Sequence, residues 1–202
     1  MTDEGGMPRA ARQVLEGVPH HIVLRGNNRR RLFSYPRDYL FFLALMSGQL
    51  TRSNMSAHAL CLMPNHVHLL ATPFREDALG TFVKRVAQRY AQVRNKRYQT
   101  TGKLFEQRYY SRPMKSESHL AIATAYVDLN PVRARLVDDG NEYEWSTHRI
   151  HCGLSCPAPG GPGVGFRRNP LPGWDRCQRV PAALARSRLS RRTDRRTSDS
   201  ER

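Results

Sequence analysis

The chain has 202 residues, which is enough for one domain with a buried core and too few for two full domains of ordinary size. Its 33 lysines and arginines outnumber 17 acidic residues, so the formal net charge is +16 and the expected partner is a polyanion such as nucleic acid. The longest apolar run, residues 40–46, is far shorter than a membrane span, and residues 1–13 lack the apolar centre of a secretory signal, so we expect a cytoplasmic protein with no membrane association.

The first half of the chain predicts a strand, a helix and a hairpin. Residues 20–25 (HHIVLR) have a β-rich apolar centre, and residues 26–28 (GNN) favour a turn. A helix is predicted after Pro36, where apolar residues recur at helical spacing behind an acidic first turn. Residues 55–62 and 66–72 are two short strand-like runs separated by the turn-forming sequence MPN.

The second half predicts a long helix, a strand and a further helix. From Asp77 onward the apolar residues share one helical face, and this helix ends before Thr101. A strand is predicted within 104–114. A helix is predicted over 117–129, and it ends at Asn130-Pro131 because proline disfavours helical geometry in the residue before it. The order of elements predicts an α+β fold, an antiparallel sheet with helices packed on one face.

A change in composition divides the chain into a domain and two further segments. Residues 1–151 form the predicted domain, and residues 152–185 are Pro/Gly-rich with little periodic apolar content, which is typical of a linker. Residues 186–202 hold seven arginines and three acids, a pattern that predicts a disordered basic C-terminal tail. A nucleic-acid-binding arm and a merely solubilising tail are equally consistent with it.

The four cysteines are too few and too scattered for a disulfide framework, and a cytoplasmic chain keeps them reduced. The spacing of His148, His151, Cys152 and Cys156 resembles a zinc site, but a single irregular C-x3-C inside a Pro/Gly-rich stretch is a weak signal. Plain thiols are the favoured interpretation.

Two histidines in the second hairpin strand, His66 and His68, are the first candidates for chemistry. Alternate residues of a strand leave the same face with Cα atoms roughly 6.5 Å apart, so the two imidazoles can share one metal ion. The alternative is that both histidines satisfy ordinary hydrogen bonds in a half-buried strand, and for an isolated H-x-H pattern that alternative is the more common one.

Tyr90 lies on the apolar stripe of the long helix, so its default interpretation is a core aromatic residue. The surrounding sequence is unusually basic, however, with Glu106 as the one acid. Cations beside a tyrosine bind phosphates and favour the phenolate that attacks a phosphodiester. The cations are Lys84, Arg85, Arg89, Arg94, Lys96, Arg97, Lys103, Arg108, Arg112 and Lys115.

Four separated motifs carry a family resemblance: GVPHHIVLRGNNRRRLF, ALCLMPNHVHLLATP, RYAQVRNKRYQTTGKLFEQRY and YVDLNPVRARLV, in this order. With these motifs the chain resembles the REP-associated tyrosine transposases, within the HUH single-tyrosine, insertion-sequence-200-like transposase family. The resemblance implies a ferredoxin-like antiparallel sheet, with the histidine pair on a central strand and the tyrosine on a helix beside it.

The resemblance also implies the chemistry. It makes His66 and His68 ligands of a divalent metal, Mg²⁺ or Mn²⁺, and Tyr90 the nucleophile, with Tyr98, Tyr109 and Tyr110 as the competing tyrosines. The expected activity is nicking and strand transfer on single-stranded or hairpin DNA, in transposition or recombination, through a 5′-phosphotyrosine intermediate. The implied partner is DNA, with no small-molecule substrate, and the protein is a monomer or a homodimer.

One position departs from the family pattern. Insertion-sequence relatives often place a polar metal ligand one helical turn after the tyrosine, but Arg94 occupies that position and has no lone pair for a metal. Asn95 is the substitute that the sequence offers. Arg94 therefore favours a rival interpretation, a catalytically inactive DNA-binding module on the same scaffold. A basic RNA-binding or ribosome-associated protein is the third class.

Six arginines are the predicted DNA contacts, because phosphates attract clustered guanidinium groups. They are Arg25, Arg29, Arg85, Arg89, Arg108 and Arg112.

Overall fold

The computed structural model describes residues 13–106 and 108–154. The predicted basic tail, nearly all of the predicted linker and two of the cysteines, Cys156 and Cys177, lie outside these residues. None of the described helices combines the length and the apolar content needed to cross a membrane.

Four strands form one sheet in which all neighbours are antiparallel. The strands are β1 (His20–Arg25), β2 (Met55–Met63), β3 (His66–Pro73) and β4 (Tyr110–Pro113), in the spatial order β2-β3-β1-β4. The helices are α1 (Pro36–Arg52), α2 (Ala78–Tyr98), α3 (Glu117–Asp128) and the short α4 (Asn130–Arg133) and α5 (His148–His151). This strand order is that of the ferredoxin-like fold, so the predicted fold class is confirmed.

The strand predicted within 104–114 is shorter in the structure and begins at Tyr110. The preceding residues contact the end of β1 separately, because Phe105 forms an isolated bridge with Gly26 and Glu106 N donates to Arg25 O at 2.8 Å. The chain therefore contacts β1 in two separate places.

The sheet is covered on both faces, each by a different set of helices. Helices α1 and α2 pack on the face that carries Val67 and Leu69 of β3, where they enclose the larger core. Helix α3 packs on the opposite face against Leu70 of β3, through Leu120 and Val127. The sequence pattern predicted helices on one face, and the short apolar stripe of α3 was too weak to show that this helix crosses to the other.

Helix α3 is fixed at both ends. Its first turn is capped by Ser116, whose side chain accepts a hydrogen bond from His119 N at 3.2 Å. At its last residue the buried Asp128 carboxylate accepts from Thr147 Oγ1 at 3.0 Å and pairs with His151 Nδ1 at 2.6 Å. The segment after the sheet therefore holds the end of the helix against β2.

We expect Thr147→Val to lower the free energy of unfolding by about 1–3 kcal/mol, because it leaves the buried Leu60 N–H without its acceptor and removes one donor from the buried Asp128 carboxylate. Urea denaturation measures this, with the exposed Thr101→Val as the matched control. Equal stability of the two variants would show that this contact does not hold α3.

Candidate active site

Three histidines meet on the face of the sheet that α3 covers. His66 and His68 alternate along β3, and His21 of β1 lies opposite Leu70, which shares their face. His21 Nε2 lies 2.9 Å from His68 Nδ1, and the two rings stack with centroids 5.1 Å apart. The rings of His66 and His68 are 4.8 Å apart and nearly perpendicular. The predicted pair is therefore brought together, and a third histidine joins it.

The protein environment keeps these imidazoles neutral at ordinary pH. Burial, together with the smaller effects of His66, His21 and Arg25, lowers the pKa of His68 to about 3. The pKa of His66 is lowered by burial and then by Arg25, and that of His21 by burial. Neutral rings keep a nitrogen lone pair, which is the form that binds a metal ion.

A neighbouring amide orients the first histidine of the pair. Asn65 Oδ1 lies 2.6 Å from His66 Nδ1, so it accepts the Nδ1–H of the neutral ring and leaves Nε2 as the acceptor. Among residues 13–106 and 108–154, no group of three His, Cys, Asp or Glu side chains is arranged to hold a metal ion.

Tyr126 of α3 lies directly over this cluster. Its ring centroid is 5.8 Å from that of His68 and 6.1 Å from that of His21, both in edge-on contact. The guanidinium carbon of Arg133 lies 4.8 Å from the centre of the Tyr126 ring. The residue is 38% exposed, and its hydroxyl makes no hydrogen bond to the described part of the chain. The histidine cluster thus has an accessible phenol beside it.

Tyr90 does not meet the requirements of the predicted nucleophile. It is 1% exposed and belongs to the core between α2 and the other face of the sheet, so the sheet separates it from His68. Its hydroxyl donates to Leu32 O at 2.8 Å, and burial is the main cause that raises the pKa of its phenol. The sequence predicted that Tyr90 points from α2 toward the sheet. It did not predict which face of the sheet α2 covers.

Asn95, the predicted substitute ligand, is also remote from the histidines. Its Nδ2 donates to Gly102 O at 3.1 Å, and its Oδ1 accepts from Thr100 Oγ1 at 3.1 Å, so both ends of the amide fasten the turn after α2. Of the competing tyrosines, Tyr98 is bound to Asp38 on the α2 side at 2.7 Å.

The signal that sequence reasoning missed lies in the last motif. The position one helical turn after Tyr126 is Asn130, a polar residue with an oxygen ligand, whereas the same position after Tyr90 is Arg94. Asn130 is 9% exposed, and its buried Nδ2 has no hydrogen-bond partner in the described residues. The spacing that counts against Tyr90 is therefore satisfied by Tyr126.

A cavity of about 450 Å³ lies beside the cluster. Its walls include both sheet histidines that contact Tyr126, two of the competing tyrosines and two of the predicted DNA-binding arginines. These residues are His21, His68, Tyr109, Tyr110, Arg25 and Arg108. The cavity exposes the histidine face to a ligand from outside.

The six predicted DNA-binding arginines are not equally placed. Arg25 is paired across the strands with His66, and Arg112 with His21, so both project from the histidine face. Arg108 lines the cavity, and Arg29 is exposed in the turn after β1. The remaining two, Arg85 and Arg89, are exposed on α2, the helix that covers the other face.

The alternative zinc site does not assemble in the described residues. His151 is engaged on both ring nitrogens, by Asp128 at 2.6 Å and by His58 O at 3.0 Å. Cys152 Sγ is 3.5 Å from His148 Nε2 and remains a free thiol, while Cys156 lies outside the described residues.

Comparison with known proteins assigns the family. The profile of the family described as "Transposase IS200 like" matches residues 15–130, a segment that contains the histidine pair, both tyrosines and Asn130. The chain belongs to the IS200-like transposases, so the resemblance predicted from its motifs is confirmed. No curated protein matches the chain.

Two solved structures are similar to this chain. The first is a REP-associated tyrosine transposase bound to a REP hairpin, with a TM-score of 0.61 at 16% sequence identity, covering 80% of this chain and 98% of that one. The second is a candidate transposase from Deinococcus radiodurans R1, with a TM-score of 0.40 at 22% identity, covering 60% of this chain and 96% of that one. The first likeness establishes the shared fold.

The lowered pKa of His68 predicts a pH dependence of stability in the metal-free protein. Between pH 6.5 and about pH 3 the unfolded chain binds a proton that the folded His68 does not, so stability is present above this window and is lost as the pH falls through it. In His68→Gln the fall should be less steep, by at most about 1.4 kcal/mol per pH unit. Urea denaturation in EDTA across this range measures it, and identical slopes would contradict the prediction.

Proposed function

We propose that this protein is a metal-dependent DNA nickase and strand-transferase that acts on single-stranded or hairpin DNA through Tyr126. The observation that carries the proposal is the contact of the Tyr126 ring with His68 and His21 on one face of the sheet. Membership of the IS200-like transposases supports the reaction class, and the geometry supports the choice of tyrosine.

Three properties make Tyr126 the better nucleophile. Its side chain is partly exposed, so a phosphodiester can reach the phenol, whereas Tyr90 is closed off in the core. It lies beside the predicted metal ligands. The Arg133 guanidinium at its ring and Arg25 on the same face of the sheet supply positive charge for the phosphate and for the phenolate that attacks it.

The residues present fit a divalent metal ion with mixed nitrogen and oxygen ligands. His66 and His68 would hold it through neutral imidazoles, and Asn130, four residues after Tyr126, carries an amide oxygen that would serve as a third ligand. When bound, such an ion polarises the scissile phosphate and stabilises the charge of the transition state. Because two of the three ligands are imidazoles, we expect Mn²⁺ to serve at least as well as Mg²⁺.

The proposed reaction exchanges one phosphate ester for another. The Tyr126 oxygen, having lost its proton, forms a bond to the phosphorus, and the bond between phosphorus and the 3′ oxygen breaks. The products are a 5′-phosphotyrosine and a DNA end whose 3′ oxygen takes up a proton. Attack of a 3′-hydroxyl on the phosphotyrosine reverses the exchange, so strand transfer needs no ATP.

Charge on the histidine face fits a nucleic-acid backbone. Arg25 and Arg112 flank the histidines, and Arg108 lines the adjoining cavity. Such contacts hold the strand in register without reading its sequence. We propose a hairpin substrate because the chain resembles the REP-associated transposases in its motifs and shares the fold of a structure solved with a REP hairpin.

The nucleophile can be identified by comparing two phenylalanine variants. We expect Tyr126→Phe to lose the covalent protein–DNA adduct, because only the nucleophilic oxygen is removed, while Tyr90→Phe still forms it at saturating DNA. Labelled hairpin DNA with a single-stranded flank is incubated with Mn²⁺, and a denaturing gel shows the protein-linked band.

The outcomes of this experiment separate the rival interpretations. Loss of the adduct in Tyr90→Phe alone would identify Tyr90 as the nucleophile and contradict the proposal. If the wild-type protein binds the DNA but forms no adduct, a catalytically inactive DNA-binding module is the better account. If unlabelled RNA displaces labelled single-stranded DNA from the protein more effectively than unlabelled DNA does, the RNA-binding class is favoured.

We expect His66→Ala and His68→Ala each to abolish metal-dependent cleavage and to leave DNA affinity within about tenfold, because arginine contacts to phosphate supply most of the binding. Each single variant should be nearly as impaired as the double variant, since the two ligands act on one ion. Cleavage assays and binding titrations in EDTA measure the two properties. Wild-type cleavage rates in both single variants would rule out a metal site at these histidines.

A further inference from the structure

The segment between β1 and α1 carries three consecutive arginines. We call residues 26–33 (GNNRRRLF) the arginine loop. Arg29 and Arg31 are exposed and Arg30 is half-buried, and within the described part of the chain none of them pairs with an acidic side chain. Arg25 directly precedes the loop. The positive charge of this segment is therefore available to an anion from outside the chain.

The arginine loop is fastened next to the histidine site. Gly26 N donates to Asn65 O at 2.8 Å, and Leu32 N donates to Pro64 O at 2.7 Å, so both ends of the loop bind the turn between β2 and β3. Asn65 is followed directly by His66, and its side chain orients that ring. The loop thus borders the predicted metal ligands.

The loop backbone has one specific and constrained course. A Cβ atom on Gly26 would lie 2.2 Å from Arg30 O, a main-chain atom, so only glycine fits at this position. Asn28 and Arg29 have left-handed backbone angles, with φ of 51° and 57°. Residues other than glycine rarely adopt this backbone conformation without support from surrounding contacts.

Helix α2 holds the second half of the loop. Tyr90 Oη donates to Leu32 O at 2.8 Å, and Arg94 Nε donates to the same oxygen at 2.9 Å. Arg94 Nη2 donates to Arg31 O at 3.0 Å. Arg94 is 7% exposed and forms no ion pair with any described carboxylate, so its buried charge is satisfied by loop carbonyls and by the Tyr98 ring, 5.0 Å away.

These contacts turn the Arg31 and Leu32 carbonyls inward, away from the surface that the arginines present. Carbonyl oxygens carry partial negative charge and repel phosphate, so their withdrawal favours anion binding on the outer side. We propose that the arginine loop binds the DNA phosphates next to the scissile one, and that Tyr90 and Arg94 are positioning residues for it. The inference rests on the proposed DNA substrate and adds a surface and two residues to it.

The test measures binding and cleavage separately. The variants are Arg30→Ala and Arg31→Ala in the loop, Tyr90→Phe and Arg94→Lys behind it, and the double variant Tyr90→Phe/Arg31→Ala. The exposed Arg52→Ala is the matched control, because it lies at the far end of α1, about 25 Å along that helix from Pro36. The probe is a synthetic hairpin with a single-stranded flank, titrated in EDTA at several salt concentrations.

We expect each loop variant to raise the Kd at least threefold and to reduce the salt dependence of log K by about 0.7–0.9 for each phosphate that the variant no longer neutralises. Tyr90→Phe and Arg94→Lys should raise the Kd threefold or more while changing the cleavage rate at saturating DNA far less. The effects of Tyr90→Phe and Arg31→Ala should be less than additive, because the first acts through the loop.

If Tyr90 and Arg94 have only a structural role, Tyr90→Phe and Arg94→Lys will lower the melting temperature but leave the Kd of the folded protein equal to that of Arg52→Ala. This result would overturn the inference. Wild-type Kd and salt dependence in both loop variants would overturn it as well. In both cases wild-type protein still binds and cuts the hairpin, so the proposed function stands. If the wild-type protein itself fails to bind the hairpin, the proposed function fails first.

Discussion

The two-residue alternation of side chains along β3 is the constraint on which the rest of the structure depends. Val67 and Leu69 project to one face and join the large core under α1 and α2, so His66 and His68 must project to the other. The sheet thereby separates the larger hydrophobic core from the face that carries the histidines. Helix α3 lies on the histidine face, and its Tyr126 contacts His68 and His21.

The same alternation explains how much the sequence could predict. Strands β1, β2 and β3 and helices α1, α2 and α3 were all predicted within a few residues, because strong apolar periodicity and clear turn or proline signals bound each of them. The order of elements and the motifs then predicted the ferredoxin-like sheet. The H-x-H spacing predicted that the two histidines share one face of β3, and the family resemblance implied their role as metal ligands.

The remaining parts depend on packing that periodicity does not encode. The apolar stripe of α2 showed that Tyr90 points toward a sheet, but the same stripe fits either face of that sheet. His21 was missed because its contact with His68 joins residues 47 positions apart in the chain. The long predicted strand ending at Met114 was shortened because residues 104–106 bind the end of β1 separately. The four-residue spacing of Tyr126 and Asn130, in contrast, is visible in the sequence itself.

The two faces are coupled at the end of the sheet where the arginine loop lies. Tyr90 and Arg94 belong to the core side, yet their hydrogen bonds end on carbonyls of a loop that borders His66. We propose that the basic, tyrosine-containing motif on α2 positions this loop and takes no part in covalent chemistry. Arg94, which argued against catalysis when Tyr90 was the assumed nucleophile, has no bearing on a site built from Tyr126 and Asn130.

The central claim, that Tyr126 is the residue that becomes joined to DNA, is tested most directly by mapping the linked peptide. Complete cleavage after lysine and arginine places Tyr126 in the peptide of residues 116–133 and Tyr90 in the peptide of residues 90–94. Wild-type protein is incubated with hairpin DNA and Mn²⁺, digested with trypsin and nuclease, and analysed by mass spectrometry for a peptide that carries a nucleotide phosphate. The account predicts the modification on residues 116–133, at Tyr126. A modification on residues 90–94, or on the peptide that carries both Tyr109 and Tyr110, would contradict it.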